Sequence, residues 1–233
     1  MTRSRRPALP ALALVTSLLL AGIATNAEAV ALNNGFSGQN FLDTPLAGTT
    51  SAARPELAGL VLADADTPFT LDGVTGYVQN RVVREFGTGT LDFYWRVVVD
   101  PTTNTGGGIR ALRLTDFGYN DLTDADWRID GTGTIGATTG RLFNPGTYPQ
   151  GDINFLFASN VDGDESSSFF FLHTGATAFA PTAGFDLLNG SDHFTGLIGT
   201  YAPAVPEPAP AMLLALGVLT LGLLRSRRNA RRD

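Results

Sequence analysis

Cysteine is absent from the 233 residues of the chain, and so is lysine. Without cysteine the protein has no disulfide bond, no thiolate nucleophile and no cysteine-based metal site. Without lysine, the glycine run at residues 106–108 lacks the side chain with which a Walker-type loop holds phosphates. We therefore expect neither thiol chemistry nor P-loop nucleotide chemistry.

Positive charge is scarce between the two ends of the chain. Residues 30–205 contain eight arginines and nineteen acidic residues, so this segment carries a net charge of −11, against −6 for the whole chain. A domain with this net negative charge is repelled by a phosphate backbone or an anionic lipid surface, because it adds to their negative charge instead of neutralising it. We therefore predict that the protein has no nucleic-acid partner.

The first 29 residues have the order of a secretory signal peptide. Three arginines in the first six residues precede an apolar stretch at residues 9–23, and Ala27 and Ala29 supply small side chains for a signal peptidase. An uncleaved membrane anchor is the alternative, but polar residues 25–28 and the small-x-small site favour cleavage. We predict that signal peptidase cleaves after Ala29, so that the mature chain begins at Val30.

The last 29 residues combine three features in a fixed order. Val205, Pro206, Glu207 and Pro208 come first, and they precede a run of 16 uncharged residues at positions 209–224. Proline blocks helix extension, so the first segment is expected to be extended, while the apolar run is slightly short of the ~20 residues of a usual membrane span. The third feature is a cluster of arginines after the apolar run. Because positive charge stays on the cytoplasmic side of a membrane, the domain is expected on the outer side. The arginines that set this orientation are Arg225, Arg227, Arg228, Arg231 and Arg232.

This tail resembles the PEP-CTERM sorting signal of exported proteins from Gram-negative bacteria. The resemblance rests on Val205, Pro206, Glu207, Pro208, the apolar run and the terminal arginines. It implies recognition by exosortase, a membrane-embedded transpeptidase-like enzyme, in the inner membrane. It also implies cleavage near the Pro-Glu-Pro and delivery to the cell surface or the extracellular matrix. Because such tails are joined to unrelated domains, the resemblance implies nothing about the activity of residues 30–204.

Residues 30–204 have the pattern of an all-β domain, with short apolar segments between turn clusters. Residues 90–99 alternate strictly, which is typical of a strand buried on one face. The buried face is predicted to carry Leu91, Phe93, Trp95, Val97 and Val99, with Asp92 and Tyr94 opposite. Further strands are predicted at residues 57–63, 74–86, 109–117, 127–129, 131–141, 153–158, 167–173 and 193–201. We predict one antiparallel β-sandwich or jelly-roll between a signal peptide (1–29) and a sorting tail with a transmembrane helix (205–233).

Catalytic motifs are not evident in this domain. No Gly-x-Ser-x-Gly elbow is present, and the adjacent Ser191, Asp192 and His193 would point to alternate faces of a strand. His173 follows an aromatic run, so we interpret it as a histidine at the end of a strand. With nineteen acidic residues, close pairs of carboxylates are expected by chance. We predict that the protein is not an enzyme.

One acidic turn has the composition of a calcium loop. Asp162, Asp164 and Glu165 place carboxylate oxygens close together, and hard cations such as Ca²⁺ take oxygen ligands. The segment lacks the glycine and the distal glutamate of an EF-hand, so a solvated turn is the alternative. A second acidic cluster comprises Asp121, Asp124, Asp126 and Asp130.

Two classes of function follow from these observations. The first is a non-catalytic cell-surface or matrix protein, sorted through its tail and binding exopolysaccharide through exposed aromatic side chains such as Tyr119, Trp127 or Tyr148. The second is a secreted hydrolase that acts on matrix glycans. A cleft that brings together acids or histidines with perturbed pKa values would favour the second class.

Overall fold

The computed structural model describes residues 30–32, 36–37, 40–41, 43–102, 107–118, 122–142, 153–191 and 193–204. Nearly all regular structure in these residues is β. The exception is a single 3₁₀ turn at Pro55–Leu57. The strands are β1 (Phe36–Ser37), β2 (Asn40–Phe41), β3 (Thr44–Pro45), β4 (Gly59–Leu71), β5 (Val74–Glu85), β6 (Leu91–Val99), β7 (Ile109–Thr115), β8 (Leu122–Trp127), β9 (Thr139–Leu142), β10 (Ile153–Val161), β11 (Phe170–Thr174), β12 (Phe179–Asn189) and β13 (Ile198–Pro203).

The longer strands form two antiparallel sheets. One sheet has five strands in the order β4-β5-β6-β11-β8, and the other has six in the order β13-β12-β7-β10-β9-β3. Strands β1 and β2 pair with each other as a short separate ribbon. This arrangement confirms the all-β prediction and is consistent with a β-sandwich. The predicted signal peptide and C-terminal helix lie outside the described residues.

The hydrophobic core lies between these two sheets. All five apolar residues predicted for the buried face of β6 are at most 2% exposed. The opposing sheet contributes large side chains such as Leu112, Phe155 and Phe185 to the same cluster. Trp95 packs against the rings of Phe117 and Phe170, with centroid separations of 5.7 and 6.3 Å. The alternation read from the sequence therefore assigned the core face of β6 correctly.

A chain of hydrogen bonds crosses this core. The indole Nε1 of Trp95 donates to Thr200 Oγ1 at 2.9 Å, and the Thr200 hydroxyl donates to Asn80 Oδ1 at 2.8 Å. Thr200 belongs to the six-stranded sheet, while Trp95 and Asn80 belong to the five-stranded sheet. Buried polar groups are costly when they lack partners, so this chain fixes how the two sheets face each other.

Several strand boundaries differ from the sequence-based prediction. β4 extends to Leu71 because it pairs along its length with β5, through a turn in which Asp72 and Gly73 both have positive φ. Such a two-residue turn matches the twist of a hairpin. The predicted strand at residues 131–141 is reduced to β9, and the prediction for 127–129 falls at the end of β8. β12 was missed, and it is the longest strand of the six-stranded sheet.

The outer face of the five-stranded sheet is covered as well. Thr49 bridges to Arg128 beside the edge strand β8, and Arg54 and Leu57, farther along the chain, lie over this face. There Leu57 packs with Val83, Tyr94, Phe169 and Phe171 in a second buried cluster. Asp92 and Tyr94 point outward as predicted, yet both are buried. This covered outer face carries the functional groups described next.

Candidate functional site

The residues predicted to direct processing lie outside the described part of the chain. These are Ala27, Ala29, Val205, Pro206, Glu207, Pro208 and the five terminal arginines Arg225, Arg227, Arg228, Arg231 and Arg232. Val30, the predicted first residue of the mature chain, is described, and its carbonyl accepts a hydrogen bond from the Ala125 N–H at 3.1 Å. Within the described residues, no helix has the length and apolar character needed to cross a membrane.

The predicted calcium turn follows β10. Its backbone closes through a 3.0 Å hydrogen bond from the Glu165 N–H to the Asp162 carbonyl, and Gly163 between them has a positive φ. The structure does not gather the carboxylates of Asp162, Asp164 and Glu165 into a set of neighbouring ligand atoms. Calcium binding at this turn stays a prediction.

The second acidic cluster serves the fold. Asp124 accepts hydrogen bonds from the guanidinium of Arg54, and Asp126 accepts one from the Gly48 N–H at 2.8 Å. Asp130 accepts a 2.6 Å hydrogen bond from the Ser51 N–H and pairs with Arg128. These bonds tie the segment over the outer face to the edge of the sheet. Asp121 lies outside the described residues.

Three ionisable side chains meet on the outer face of the five-stranded sheet. Glu85, Asp92 and His173, here called the buried triad, come from β5, β6 and β11, which are adjacent strands. Asp92 lies directly opposite His173 in the β6–β11 register. The Nδ1 atom of His173 is 2.7 Å from Asp92 Oδ1 and 3.1 Å from Glu85 Oε1. Both carboxylate side chains are 0% exposed, and the imidazole is 16% exposed.

The hydrogen bonds within the triad are incomplete. Glu85 Oε2 accepts hydrogen bonds from the hydroxyls of Thr88 and Thr90. Glu85 Oε1 and Asp92 Oδ2, in contrast, are buried and have no hydrogen-bond partner among the described residues. Although Glu85 Oε1 is 3.1 Å from His173 Nδ1, that nitrogen carries at most one proton, and the shorter contact assigns this proton to Asp92.

Burial changes the acid–base properties of the triad. It raises the pKa of Asp92 to about 6; the hydrogen bond with His173 opposes this change and the nearby Glu85 carboxylate adds to it. The hydrogen bond with Asp92 raises the pKa of His173, against the effect of its own burial. Burial also raises the pKa of Asp124, although Arg54 opposes it. The His173–Asp92 pair therefore holds a proton more firmly than either isolated group.

A groove of about 380 Å³ opens on the same face. Its floor lies over the second buried cluster and includes Tyr94 and Phe169, and its sides include Arg81, Arg128 and Thr132. The guanidinium of Arg81 lies 4.7 Å from the Phe169 ring centroid and pairs with Asp64 at 2.7 Å. Apolar rings and guanidinium groups thus line one surface channel.

Neither the triad nor this groove is predicted by the sequence, which indicates a strand-end histidine at His173 and polysaccharide binding through Tyr119, Trp127 or Tyr148. Trp127 is half-buried, with its indole donating to the Leu46 carbonyl at 3.3 Å, and the other two residues lie outside the described part. The one sequence feature that indicates the triad is the alternation of β6, which places the acidic side chain of Asp92 on the outward face of the strand.

Comparisons with known proteins identify no relative. No protein-family model, curated protein or solved structure matches the chain.

Proposed function

We propose that the protein is an exported, non-catalytic component of the cell surface or extracellular matrix that binds exopolysaccharide in the groove over Tyr94 and Phe169. The observation that carries the binding role is the groove itself, which combines two guanidinium groups with an apolar floor. Export and sorting are inferred from the two ends of the sequence. Signal peptidase and exosortase are the processing enzymes in this proposal, and the inner membrane is the site of processing.

The composition of the groove suits a sugar polymer. A pyranose ring has an apolar C–H face, which can lie against an exposed apolar side chain such as Val61, and a rim of hydroxyl groups. Guanidinium groups present several N–H donors in a fixed plane, and they bind carboxylates in two-point contacts. Arg81 and Arg128 are held in place by Asp64 and Asp130 respectively. Because these ion pairs already neutralise both guanidinium charges in an acidic domain, we expect the groove to prefer an uncharged polysaccharide, whose hydroxyl groups accept the remaining N–H donors.

The matrix-glycan hydrolase is the second candidate, and the buried triad is the observation that favours it. A carboxyl group with a pKa of about 6 beside a histidine is a common feature of acid–base catalysis. Against this candidate, the side chains of Glu85 and Asp92 are 0% exposed, and neither lines the groove. A polymer in the groove would not contact them without a rearrangement of the covering segment. The non-catalytic role is therefore better supported.

The binding role is tested by co-sedimentation of the full chain with exopolysaccharide purified from the producing bacterium. Thr132→Trp places a large side chain at an exposed position in the groove, so bound protein should fall at least 10-fold. Thr182→Trp introduces the same side chain at an exposed position on β12, in the other sheet, and should bind like the wild type. Equal binding by both variants would contradict the proposal.

The same material separates binding from hydrolysis. Release of reducing ends from the polysaccharide by the wild type, and its loss in Asp92→Asn, would establish the hydrolase instead. We expect no release above that of a protein-free control over the same period.

A further inference from the structure

We propose that Glu85, Asp92 and His173 bind a divalent transition metal ion, with Zn²⁺ and Mn²⁺ as the ions best matched to the ligand set. The inference concerns a site apart from the polysaccharide groove and does not depend on the proposed function. It starts from the position of three ligand atoms that lie within 4.8 Å of one another, on three adjacent strands.

The distances between these atoms are close to those within a metal coordination shell. Metal–nitrogen and metal–oxygen bonds of about 2.0–2.2 Å place neighbouring ligands about 3 Å apart at an octahedral angle and about 3.4 Å apart at a tetrahedral one. The separations from His173 Nδ1 to the two carboxylates are 2.7 and 3.1 Å, so the carboxylates would move apart by a few tenths of an ångström, up to ~0.7 Å, on metal binding. One ion could contact all three atoms with small side-chain adjustments.

The hydrogen bonds present do not account for the arrangement. Nδ1 of His173 has one proton at most, so it cannot satisfy both carboxylates. Glu85 Oε1 and Asp92 Oδ2 remain without partners in the described part of the chain, although both side chains are completely buried. Arg54, the cation next to the triad, is engaged by Asp124 and Glu56. Two buried carboxylates thus share one histidine, and a divalent cation would balance their charge.

The surroundings orient the ligands. The hydroxyls of Thr88 and Thr90 bind Glu85 Oε2, which leaves Oε1 directed toward His173. Hydrogen bonds of this kind, made to the non-coordinating oxygen of a ligand, are typical of metal sites. The carboxylates cannot reach solvent, but the imidazole is partly exposed and marks the side from which an ion would enter.

The ligand types limit the choice of ion. One imidazole nitrogen with two carboxylate oxygens suits Zn²⁺ or Mn²⁺, whereas Ca²⁺ and Mg²⁺ take oxygen ligands almost exclusively. No cysteine is available to the site, which disfavours soft ions such as Cu⁺. A three-ligand protein site leaves further positions on the ion for water.

The first test is direct binding. The full chain, freed of metal with a chelator, is titrated by calorimetry with ZnCl₂ and separately with MnCl₂, and we expect one equivalent of at least one ion to bind. Glu85→Gln keeps the shape of the ligand and removes its charge, so the affinity should fall at least 10-fold. The matched control is His193→Gln, which removes the other histidine, an exposed one paired with Asp72. This control should bind like the wild type.

The second test detects metal binding at His173 in the wild-type protein, so it does not depend on the folding of a variant. The chain contains two histidines, so ring ¹⁵N labelling gives two sets of resonances. Addition of one equivalent of ZnCl₂ should shift Nδ1 of His173 and leave His193 unchanged. Absence of any stoichiometric binding, unchanged affinity in a folded Glu85→Gln variant, or a shift confined to His193 would each overturn the proposal.

Discussion

Replacing Trp95 with alanine should destabilise the protein by about 3–5 kcal/mol. The side chain is 1% exposed and packs among aromatic rings between the two sheets. A buried aromatic removes 150–250 Å² from water, which at about 25 cal/mol per Å² corresponds to about 4–6 kcal/mol. Residual burial in the unfolded chain lowers this figure. The mutation also removes the indole donor to Thr200, whose hydroxyl keeps its bond to Asn80.

Two further variants separate packing from hydrogen bonding. Trp95→Phe keeps most of the aromatic contact and loses the N–H, so we expect a loss of about 1–3 kcal/mol, smaller than that of the alanine variant. Phe86→Ala truncates an aromatic side chain that is 76% exposed and should change stability by less than about 0.5 kcal/mol.

The assay is urea unfolding of the full chain, followed by circular dichroism and analysed by linear extrapolation. A Trp95→Ala variant as stable as Phe86→Ala would refute the assignment of Trp95 to the core. Equal losses in Trp95→Phe and Trp95→Ala would show that the hydrogen bond, and not packing, supplies the energy.

Two further predictions concern acidic side chains. Burial opposes ionisation of Asp130, but hydrogen bonds from Ser51 and Arg128 outweigh it and lower its pKa to about 2. Its contribution to stability is therefore present above pH ~4, the range of an unperturbed aspartate, and is lost as the pH falls through about 2. The difference in urea midpoint between wild type and Asp130→Asn should accordingly shrink between pH 4 and pH 2, and a constant difference would contradict the assignment. Millimolar CaCl₂ should raise the melting temperature if the turn at Asp162 and Asp164 binds calcium. An unchanged midpoint, or a shift that survives Asp162→Ala with Asp164→Ala, would reject that turn.

The strands that were predicted correctly have strong local signals. β6 alternates between apolar side chains and Asp92, Tyr94 and Arg96 as far as Val97, and that alternation indicates which side faces the core. β12 carries Pro181 and Gly184, and its pairing is interrupted between Ala180 and Ala183, so its residues do not alternate cleanly. Its strand conformation is imposed by its neighbours β7 and β13, which sequence periodicity does not report.

The triad depends on information that is not local. Alternation alone places Asp92 on the outward face of β6, but His173 lies 81 residues away along the chain. Its alignment opposite Asp92 comes from the pairing of β6 with β11, and the packing of the whole sandwich sets that register. Arg54 and Leu57 lie over the same face of the sheet, in a segment that carries no periodic signal in the sequence. The groove is lined by residues from separate parts of the chain, such as Val61, Tyr94 and Phe169, which only the folded structure brings together.

Export and sorting through the tail are tested by the intact mass of the protein recovered from the surface of the producing cells. We expect a chain that begins at Val30, after cleavage between Ala29 and Val30, and ends near Pro206. All surface-exposed material should then lack the apolar run at residues 209–224. A mass that retains residues 212–224 in all of this material would contradict sorting by cleavage at the Pro-Glu-Pro.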